Sequence, residues 1–289
     1  MWPYTQVLGS EQLWGMTMFS GNADVPSPGK GDHNTMMKKN TTILLMLVGI
    51  CLTSVAIFPV SALSETTLDN TIYAQLLDRH VRDGVVDYQG FKADEKQLDA
   101  YLDQMAAVDP DKLSRNEQFA FYINAYNAWT IKLILTRYPG ISSIKDIGSF
   151  FSSPWKKKIS RINGELLTLD EIEHEILRPR FQDPRIHFAV NCASIGCPKL
   201  ISHPYEAQTL SQQLDTVTRD FINNPDRNYL KGDTLYVSRI FKWFAEDFNH
   251  DIRGFFLQYA SDNLRQALTA VGDGLNIRYL DYDWSLNGK

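Results

Sequence analysis

One long apolar run, RNEQFAFYINAYNAWTIKLILTRY, constrains the fold of this chain more than any other feature. Ser114 stands before the run with Glu117 three residues later, which is a capping-box signature for a helix N-terminus. Pro139 ends the run, so we predict one helix from Arg115 to Tyr138. A helix that is apolar on nearly every face is usually buried in the middle of a fold. We therefore expect this helix to be central.

Two asparagines interrupt the apolar surface of this predicted helix. Asn124 and Asn127 lie three residues apart, so they share one face. A buried asparagine usually satisfies a loop backbone and fixes how elements pack, and we favour that role for both. Asn124 is also a candidate to orient a catalytic base.

Periodicity and turn residues predict the other elements of the chain. They include helices over residues 68–78 and 95–105, a hairpin turning at Asn163-Gly164, a short helix that begins after Thr168 and stops before Pro179, an apolar central strand over 186–190, a helix over 207–221, a hairpin turning at 231–233, two further helices and a final strand in NIRYLDYDW. This order lacks the regular strand-helix alternation of a parallel doubly wound sheet. It predicts an α+β domain that is mainly helical, with a small sheet built from hairpins and a central strand. Papain-like and transglutaminase-like folds are candidates.

The N-terminal part of the chain has the pattern of a secretory signal, which indicates export. Residues 36–62 combine a basic start, an apolar stretch over 43–52 and a small-residue site, with cleavage expected after Ala62. Residues 1–35 are then an extension or a misassigned start, and residues 63–289 are one domain in the periplasm or outside the cell. The alternative is a membrane anchor through residues 43–60. After cleavage no stable membrane span would remain, and Cys192 and Cys197 would be the remaining cysteines, in a compartment where disulfides persist.

Charge and composition limit the classes of partner. The formal net charge is -5 and the chain has no basic block, which argues against nucleic acid binding. The hydrophobic content of 44% is typical of a globular domain. We predict a small-molecule or peptide partner and no cofactor. The sequence does not indicate an oligomeric state.

The stretch RIHFAVNCASIGCPKL concentrates the residues that could carry chemistry. Cys192 and Cys197, with four residues between them, could close a small disulfide loop in an exported protein. Alternatively, Cys192 could be a nucleophile held in a turn that starts at Asn191. A metal site is the weakest alternative, because these cysteines with His174 and His187 fit none of the usual zinc spacings, and we predict no metal.

A thiolate needs a nearby base, and the candidates are His174 and His187. Helical periodicity places Glu173 on the buried stripe of the short helix that follows Thr168. A buried carboxylate is rarely unpaired, so Glu173 should orient a histidine or an asparagine, or form an ion pair with an arginine such as Arg178 or Arg185.

Four motifs together resemble the family known as domain of unknown function 547. They are FYINAYNAW, LTLDEIEHEILR, RIHFAVNCASIGCP and LDYDWSLN, which occur in that order between about residues 115 and 287. The resemblance implies no particular reaction, because the family has none agreed, and it implies that bacterial members are often exported. Its motif positions are Asn124, Asn127, Glu173, His174, His187, Cys192 and Cys197.

Two functional hypotheses follow from the residues. In the first, the protein is a thiol-dependent hydrolase or acyltransferase with Cys192 as the nucleophile, His187 or His174 as the base, Glu173 or Asn124 as the orienting group, and backbone amides of the turn as oxyanion donors. Both histidines precede the cysteine, so this arrangement would be permuted relative to papain-like enzymes. In the alternative, the protein is a non-catalytic envelope or binding domain with a structural Cys192–Cys197 disulfide. Asn127, Asn191 and Cys197 then belong to a binding or structural polar cluster.

Overall fold

The computed structural model describes residues 68–149 and 152–288. These residues all fall in one compact unit. The predicted extension over 1–35 and the predicted signal over 36–62 lie outside the described residues.

The central helix forms as predicted. Helix α4 runs from Arg115 to Leu135, and its capping box is complete, with the side chains of Ser114 and Glu117 each bonded to the other residue's backbone N–H. Nearly all of its residues after the first turn are buried. The helix ends three residues before the predicted Tyr138, and residues 136–139 form a turn instead. Pro139 disfavours helical geometry at Tyr138.

Helices dominate the rest of the described chain. They are α1 (Thr71–His80), α2 (Tyr88–Ala93), α3 (Glu95–Ala106), α5 (Leu169–Glu171), the π-helix Ile172–Leu177, α6 (Arg178–Phe181), α7 (Leu210–Ile222), α8 (Ile240–Trp243), α9 (Ile252–Tyr259) and α10 (Asp262–Val271). Of these, α2, α3, α5 and the π-helix pack against α4. A single hydrophobic core includes side chains from most of these helices. The fold is therefore a mainly helical α+β domain, as predicted.

The strands form three small sheets. The pairs β1 (Val81–Arg82) with β2 (Val85–Val86) and β3 (Ser160–Ile162) with β4 (Glu165–Leu167) are antiparallel hairpins. The third sheet pairs β5 (Tyr229–Lys231) antiparallel to β6 (Thr234–Val237), which is parallel to β7 (Asn276–Tyr279). The predicted turn at Asn163-Gly164 is confirmed, and both of its residues have positive φ, as the commonest two-residue hairpin turn requires.

Two predictions of local structure were wrong. The segment predicted as a central strand is largely a 3-10 helix, Pro184–Phe188, because Pro184 starts a helical turn that Asp183 caps through the N–H of Arg185. The helix predicted to stop before Pro179 continues to Phe181. Proline is tolerated there because it lies in the first turn of α6, after a π-helix in which Arg178 N–H bonds to the carbonyl of Glu173.

Of the helices in the described ranges, none is both long enough and apolar enough to cross a membrane.

Candidate functional site

The cysteine loop, residues 191–197, is anchored to α4 by Asn127. The side-chain oxygen of Asn127 accepts the N–H of Asn191 at 2.8 Å, and its amide nitrogen donates to the carbonyl of Ala189 at 2.9 Å. Asn127 is buried, so both bonds are shielded from water. The structural role that the sequence favoured for this residue has direct support.

Asn124, on the same face of α4, holds a different segment. Its amide nitrogen donates to the carbonyl of Tyr205, and its oxygen accepts the N–H of Tyr205, both at 2.9 Å. The side chain therefore imitates a backbone partner and fixes the segment that follows the cysteine loop. All the hydrogen bonds described for Asn124 go to Tyr205, and none goes to a histidine.

The side chain of Asn191 makes hydrogen bonds within the cysteine loop and to the residue that follows it. Its amide nitrogen donates to the carbonyl of Pro198 at 2.7 Å, and its oxygen accepts the N–H of Ala193 at 2.9 Å. The oxygen also accepts from the side chain of Asn287 at 3.1 Å. Ala193 has a φ of 60°, an uncommon value for a residue with a Cβ, and the hydrogen bond to Asn191 helps to hold it there.

Cys192 and Cys197 are joined by a disulfide, with Cα atoms 6.1 Å apart. Both side chains are buried, Cys192 at 2% and Cys197 at 7% exposure. The N–H of Cys192 points at the sulfur of Cys197, with 2.9 Å between the nitrogen and the sulfur. While the disulfide is intact, Cys192 has no thiol and cannot act as a nucleophile.

Two hydroxyl groups lie against the disulfide. The Ser194 hydroxyl is 3.1 Å from the Cys192 sulfur, and the Tyr282 hydroxyl is 3.3 Å from the sulfurs of both cysteines. The two hydroxyls also bond each other at 3.2 Å. A bonded sulfur carries no proton, so any hydrogen bond to it is donated by a hydroxyl, and each hydroxyl has one proton to share among these contacts. Neither histidine is among the hydrogen-bond partners of the Cys192 sulfur.

Glu173 is fully buried, as the periodicity predicted, but it lacks the expected partner. Neither of its carboxyl oxygens has a hydrogen-bond partner among the described residues, and the nearby hydroxyl of Tyr126 also lacks one. Burial raises the pKa of Glu173 to about 8, against smaller lowering effects of Tyr126 and Arg178. The carboxyl is therefore mostly protonated at neutral pH. Its position on the π-helix places it near Tyr282, whose pKa it helps to raise.

The two histidines belong to a second polar cluster, centred on Asp247. Arg178 binds this carboxylate through two nitrogens, at 2.6 and 2.9 Å, and His187 Nε2 lies 2.6 Å from the same carboxylate. Arg178 also donates to His174 Nδ1 at 3.1 Å. Because an arginine only donates, this histidine nitrogen is unprotonated. The pKa of Asp247 is well below its usual range: burial acts to raise it, but the hydrogen bonds from His187 and Arg178 outweigh that effect.

Burial lowers the pKa of both histidines. His174 falls to about 4, mainly because it is removed from water. For His187, full burial outweighs the opposing effect of Asp247, and its Nδ1 has no hydrogen-bond partner within the described ranges. Both rings are therefore neutral at pH 7.

The structure thus divides the predicted residues into separate groups. Cys192, Cys197, Asn191 and Asn127 meet in the cysteine loop. His187 instead contacts Asp247, and His174 contacts Arg178, which binds the same aspartate. The sequence analysis did not identify Asp247, Ser194 or Tyr282 as partners of these residues. The aspartate and the tyrosine are separated by 60 and 90 residues from their partners His187 and Cys192, so no local spacing indicates the contact.

A groove of about 880 Å³ lies beside the cysteine loop. The turn between β1 and β2 forms one wall, the segment over residues 198–206 forms a second, and one face of α7 forms a third. Cys197 lines the groove, but Cys192 does not. Within the part of the chain that the structure describes, no group of three or more histidine, cysteine or carboxylate side chains could hold a metal ion.

Comparison with known families finds one family model that matches part of this site. Residues 110–222 match the family described as "Protein of unknown function, DUF547". This range includes α4, the π-helix, the cysteine loop and α7, so the resemblance noted in the sequence is confirmed there. The comparison with curated proteins finds no match, and neither does the comparison with solved structures.

Proposed function

We propose that this chain, whose residues 110–222 belong to the DUF547 family, is a binding domain that takes a short peptide segment in the groove beside the cysteine loop. The observation that carries the proposal is the groove itself. Its volume of about 880 Å³ is at the upper end of the range usual for ligand sites.

The lining of the groove suits a peptide. Amide side chains such as Gln212 and Asn224 offer both donors and acceptors, and charges of both signs are present, including Asp220 and Arg227. Ile195 is 41% exposed, although it is a large apolar residue next to Cys197. A peptide combines backbone polar groups with apolar side chains, so this mixed lining is complementary to it.

The walls of the groove are held in place without a ligand. Gln213 on α7 accepts the N–H of Glu206 and donates to the carbonyl of Pro204, both at 2.9 Å. Asn124 fixes the same wall through Tyr205. A preformed groove loses less conformational entropy when it binds, which favours affinity.

The hypothesis of a thiol-dependent hydrolase with Cys192 as the nucleophile has weaker support. Cys192 is bonded to Cys197, and the hydrogen bonds of its sulfur go to Ser194 and Tyr282. His187 is engaged by Asp247, so a catalytic dyad would require both reduction and rearrangement. That hypothesis stays a prediction.

Export to the periplasm or the cell exterior remains part of the proposal. The supporting observation is the Cys192–Cys197 disulfide, since such bonds persist in oxidising compartments. The predicted signal segment that would direct export, residues 36–62, is outside the described residues.

The proposal is tested with a library of short peptides of mixed sequence, scored by the increase in melting temperature of the protein. A ligand at 100 times its Kd should stabilise the folded state by about 2.7 kcal/mol. Thr216→Trp would fill the groove, because Thr216 is an exposed residue of α7 that lines it. The matched control is Thr269→Trp on α10, since both threonines are exposed and each donates its hydroxyl to the carbonyl four residues earlier.

We expect binders whose stabilising effect disappears in Thr216→Trp and survives in Thr269→Trp. Binders that stabilise both variants equally would bind elsewhere and contradict the proposal. A library without any binder would contradict it as well.

A further inference from the structure

We propose that the Cys192–Cys197 disulfide is redox-active and exchanges with the dithiol of a partner protein, which reaches Cys197 through the groove. The inference rests on the proposed function only for this route of access. Its chemistry depends on the disulfide, on the two hydroxyls that lie against it, and on the way the loop is held.

The two sulfurs differ in how they can be reached. Cys197 lines the groove and is 7% exposed, whereas Cys192 does not line it and is 2% exposed. A thiolate that enters the groove therefore meets Cys197 first, and Cys192 becomes the leaving group. Exchange rates depend on which sulfur is attacked and on access to it, so this asymmetry gives the reaction a defined order.

The hydroxyls of Ser194 and Tyr282 favour that leaving group. Both lie within 3.3 Å of the Cys192 sulfur, and Tyr282 is equally close to the Cys197 sulfur. A disulfide sulfur is a weak acceptor and gains little from such donors, whereas a thiolate is charged and gains much more. The N–H of Cys192 gives the Cys197 sulfur a further donor. These groups therefore stabilise the reduced state and the transition state of the exchange, in which negative charge develops on the sulfurs.

The backbone of the loop keeps its shape by hydrogen bonds that do not involve the sulfurs. Ile195 N–H bonds to the carbonyl of Ser285, and Gly196 N–H to that of Asp283, both at 2.8 Å. The N–H of Asn287 bonds to the carbonyl of Ala193 at 3.1 Å. Breaking the disulfide leaves these bonds in place, so the two thiols stay close together and can be oxidised again.

The exchange balances in two steps. A thiolate of the partner attacks the Cys197 sulfur, a mixed disulfide forms, and the bond to Cys192 breaks with its electron pair on the Cys192 sulfur. The second thiolate of the partner then attacks the partner's first sulfur, which is bonded to Cys197 in the mixed disulfide. Cys197 is released as a thiolate. The partner loses two electrons and its two thiol protons, which become the thiol protons of Cys192 and Cys197. The reverse reaction reoxidises the pair.

The test measures reduction of the folded protein by dithiothreitol at fixed pH and without denaturant. Samples are quenched with acid, alkylated and followed through the tryptic peptide over residues 186–199, which contains both cysteines. We expect the reduction rate to rise in proportion to the dithiothreitol concentration. A disulfide that opens only when the protein unfolds would instead level off at the unfolding rate once reduction outpaces refolding, so the series extends to dithiothreitol concentrations that reduce the unfolded chain faster than it refolds.

Two variants test the role of the hydroxyls. Tyr282→Phe keeps the ring that packs on Trp243 and Trp284 but removes the hydroxyl, and it should slow reduction by about tenfold, since a hydrogen bond to a charged group is lost. Ser194→Ala should slow reduction in the same direction and serves if the first variant fails to fold. The control is Tyr229→Phe, at an exposed tyrosine stacked on Tyr236, which should leave the rate unchanged.

Reduction that requires unfolding would overturn the inference, and so would equal rates in the wild type and all three variants. These outcomes are separable from those of peptide binding. Rapid exchange without any peptide binder would reject the proposed function but keep the redox activity. Peptide binding with a disulfide that resists dithiothreitol would keep the proposed function and reject the redox activity.

Discussion

At the scale of single residues, the buried carboxyl of Glu173 sets a pH dependence of stability. In the unfolded chain it ionises near its ordinary pKa of 4.5, whereas in the folded protein it stays protonated up to a pKa of about 8. At this group the folded state therefore binds more protons between these values, so the contribution of Glu173 to the free energy of unfolding falls as the pH rises from 5 to 8. The contribution of this group is at most about 5 kcal/mol.

Glu173→Gln removes this titration while keeping the shape of the side chain. We expect the variant to gain stability relative to the wild type as the pH rises from 5 to 8, measured by urea unfolding at several pH values. Glu175→Gln is the control, because Glu175 is an exposed residue of the same π-helix. Parallel stability curves for wild type and Glu173→Gln would contradict the burial of an unpartnered carboxyl at this position.

The carboxylate of Asp247 stabilises the second polar cluster. Asp247→Asn leaves the charge of Arg178 without its bidentate partner, so we expect a loss of about 2–3 kcal/mol, reduced from the value for fully buried pairs by partial exposure. The control is Asp281→Asn, which removes the partner of Arg239 at a fully exposed site and should cost less than about 1 kcal/mol. Equal losses in urea unfolding would show that Asp247 has no special role.

The sequence predicted which of these residues are buried better than it predicted their partners. Glu173 faces the interior because the helical step places it on the apolar stripe, and that step can be counted along the sequence. One of its candidate partners, Arg178, binds Asp247 instead, which is 69 residues away along the chain. Periodicity carries no information on contacts of that kind.

At the scale of elements, the C-terminal segment and the cysteine loop depend on a close approach at Gly196. A Cβ at this position would lie 2.9 Å from the carbonyl oxygen of Asp283 and 2.9 Å from ring carbons of Tyr282. The carbonyl belongs to the backbone and cannot move alone. Gly196→Ala should therefore push the segment off the loop and cost about 1–3 kcal/mol of stability.

Gly274→Ala is the matched control, because a Cβ there would meet no atom within 4 Å and the residue has no positive φ. We expect it to change the free energy of unfolding by less than about 0.5 kcal/mol, measured in the same urea titration. If both substitutions had the same small effect, Gly196 would not be needed for the packing of Tyr282.

Elements with strong local signals were predictable, and those set by their surroundings were not. The capping box of α4 and the Asn163-Gly164 turn are local features, and both formed as predicted. The apolar run over residues 186–190 also fits a buried strand, but no strand lies beside it in the described chain, and Pro184 starts a 3-10 helix instead. A short apolar run does not distinguish a strand from a buried helical turn.

At the scale of the whole molecule, the groove is the feature that the sequence could least predict. Its walls come from the β1–β2 turn, from residues 198–206 and from α7, and each wall is ordinary by itself. The two asparagines of α4 explain why the walls and the cysteine loop have fixed positions, since Asn127 holds the loop and Asn124 holds the segment after it. The sequence predicted that these residues share a face but not what they hold.

The state of the two cysteines tests this account most directly. The protein is purified without reductant, alkylated while denatured and digested with trypsin, which releases residues 186–199 as one peptide with Cys192 and Cys197. We predict that this peptide carries no alkyl group and is two hydrogen atoms lighter than its dithiol form, and that prior reduction adds two alkyl groups. A peptide that is fully alkylated before any reduction would contradict the disulfide.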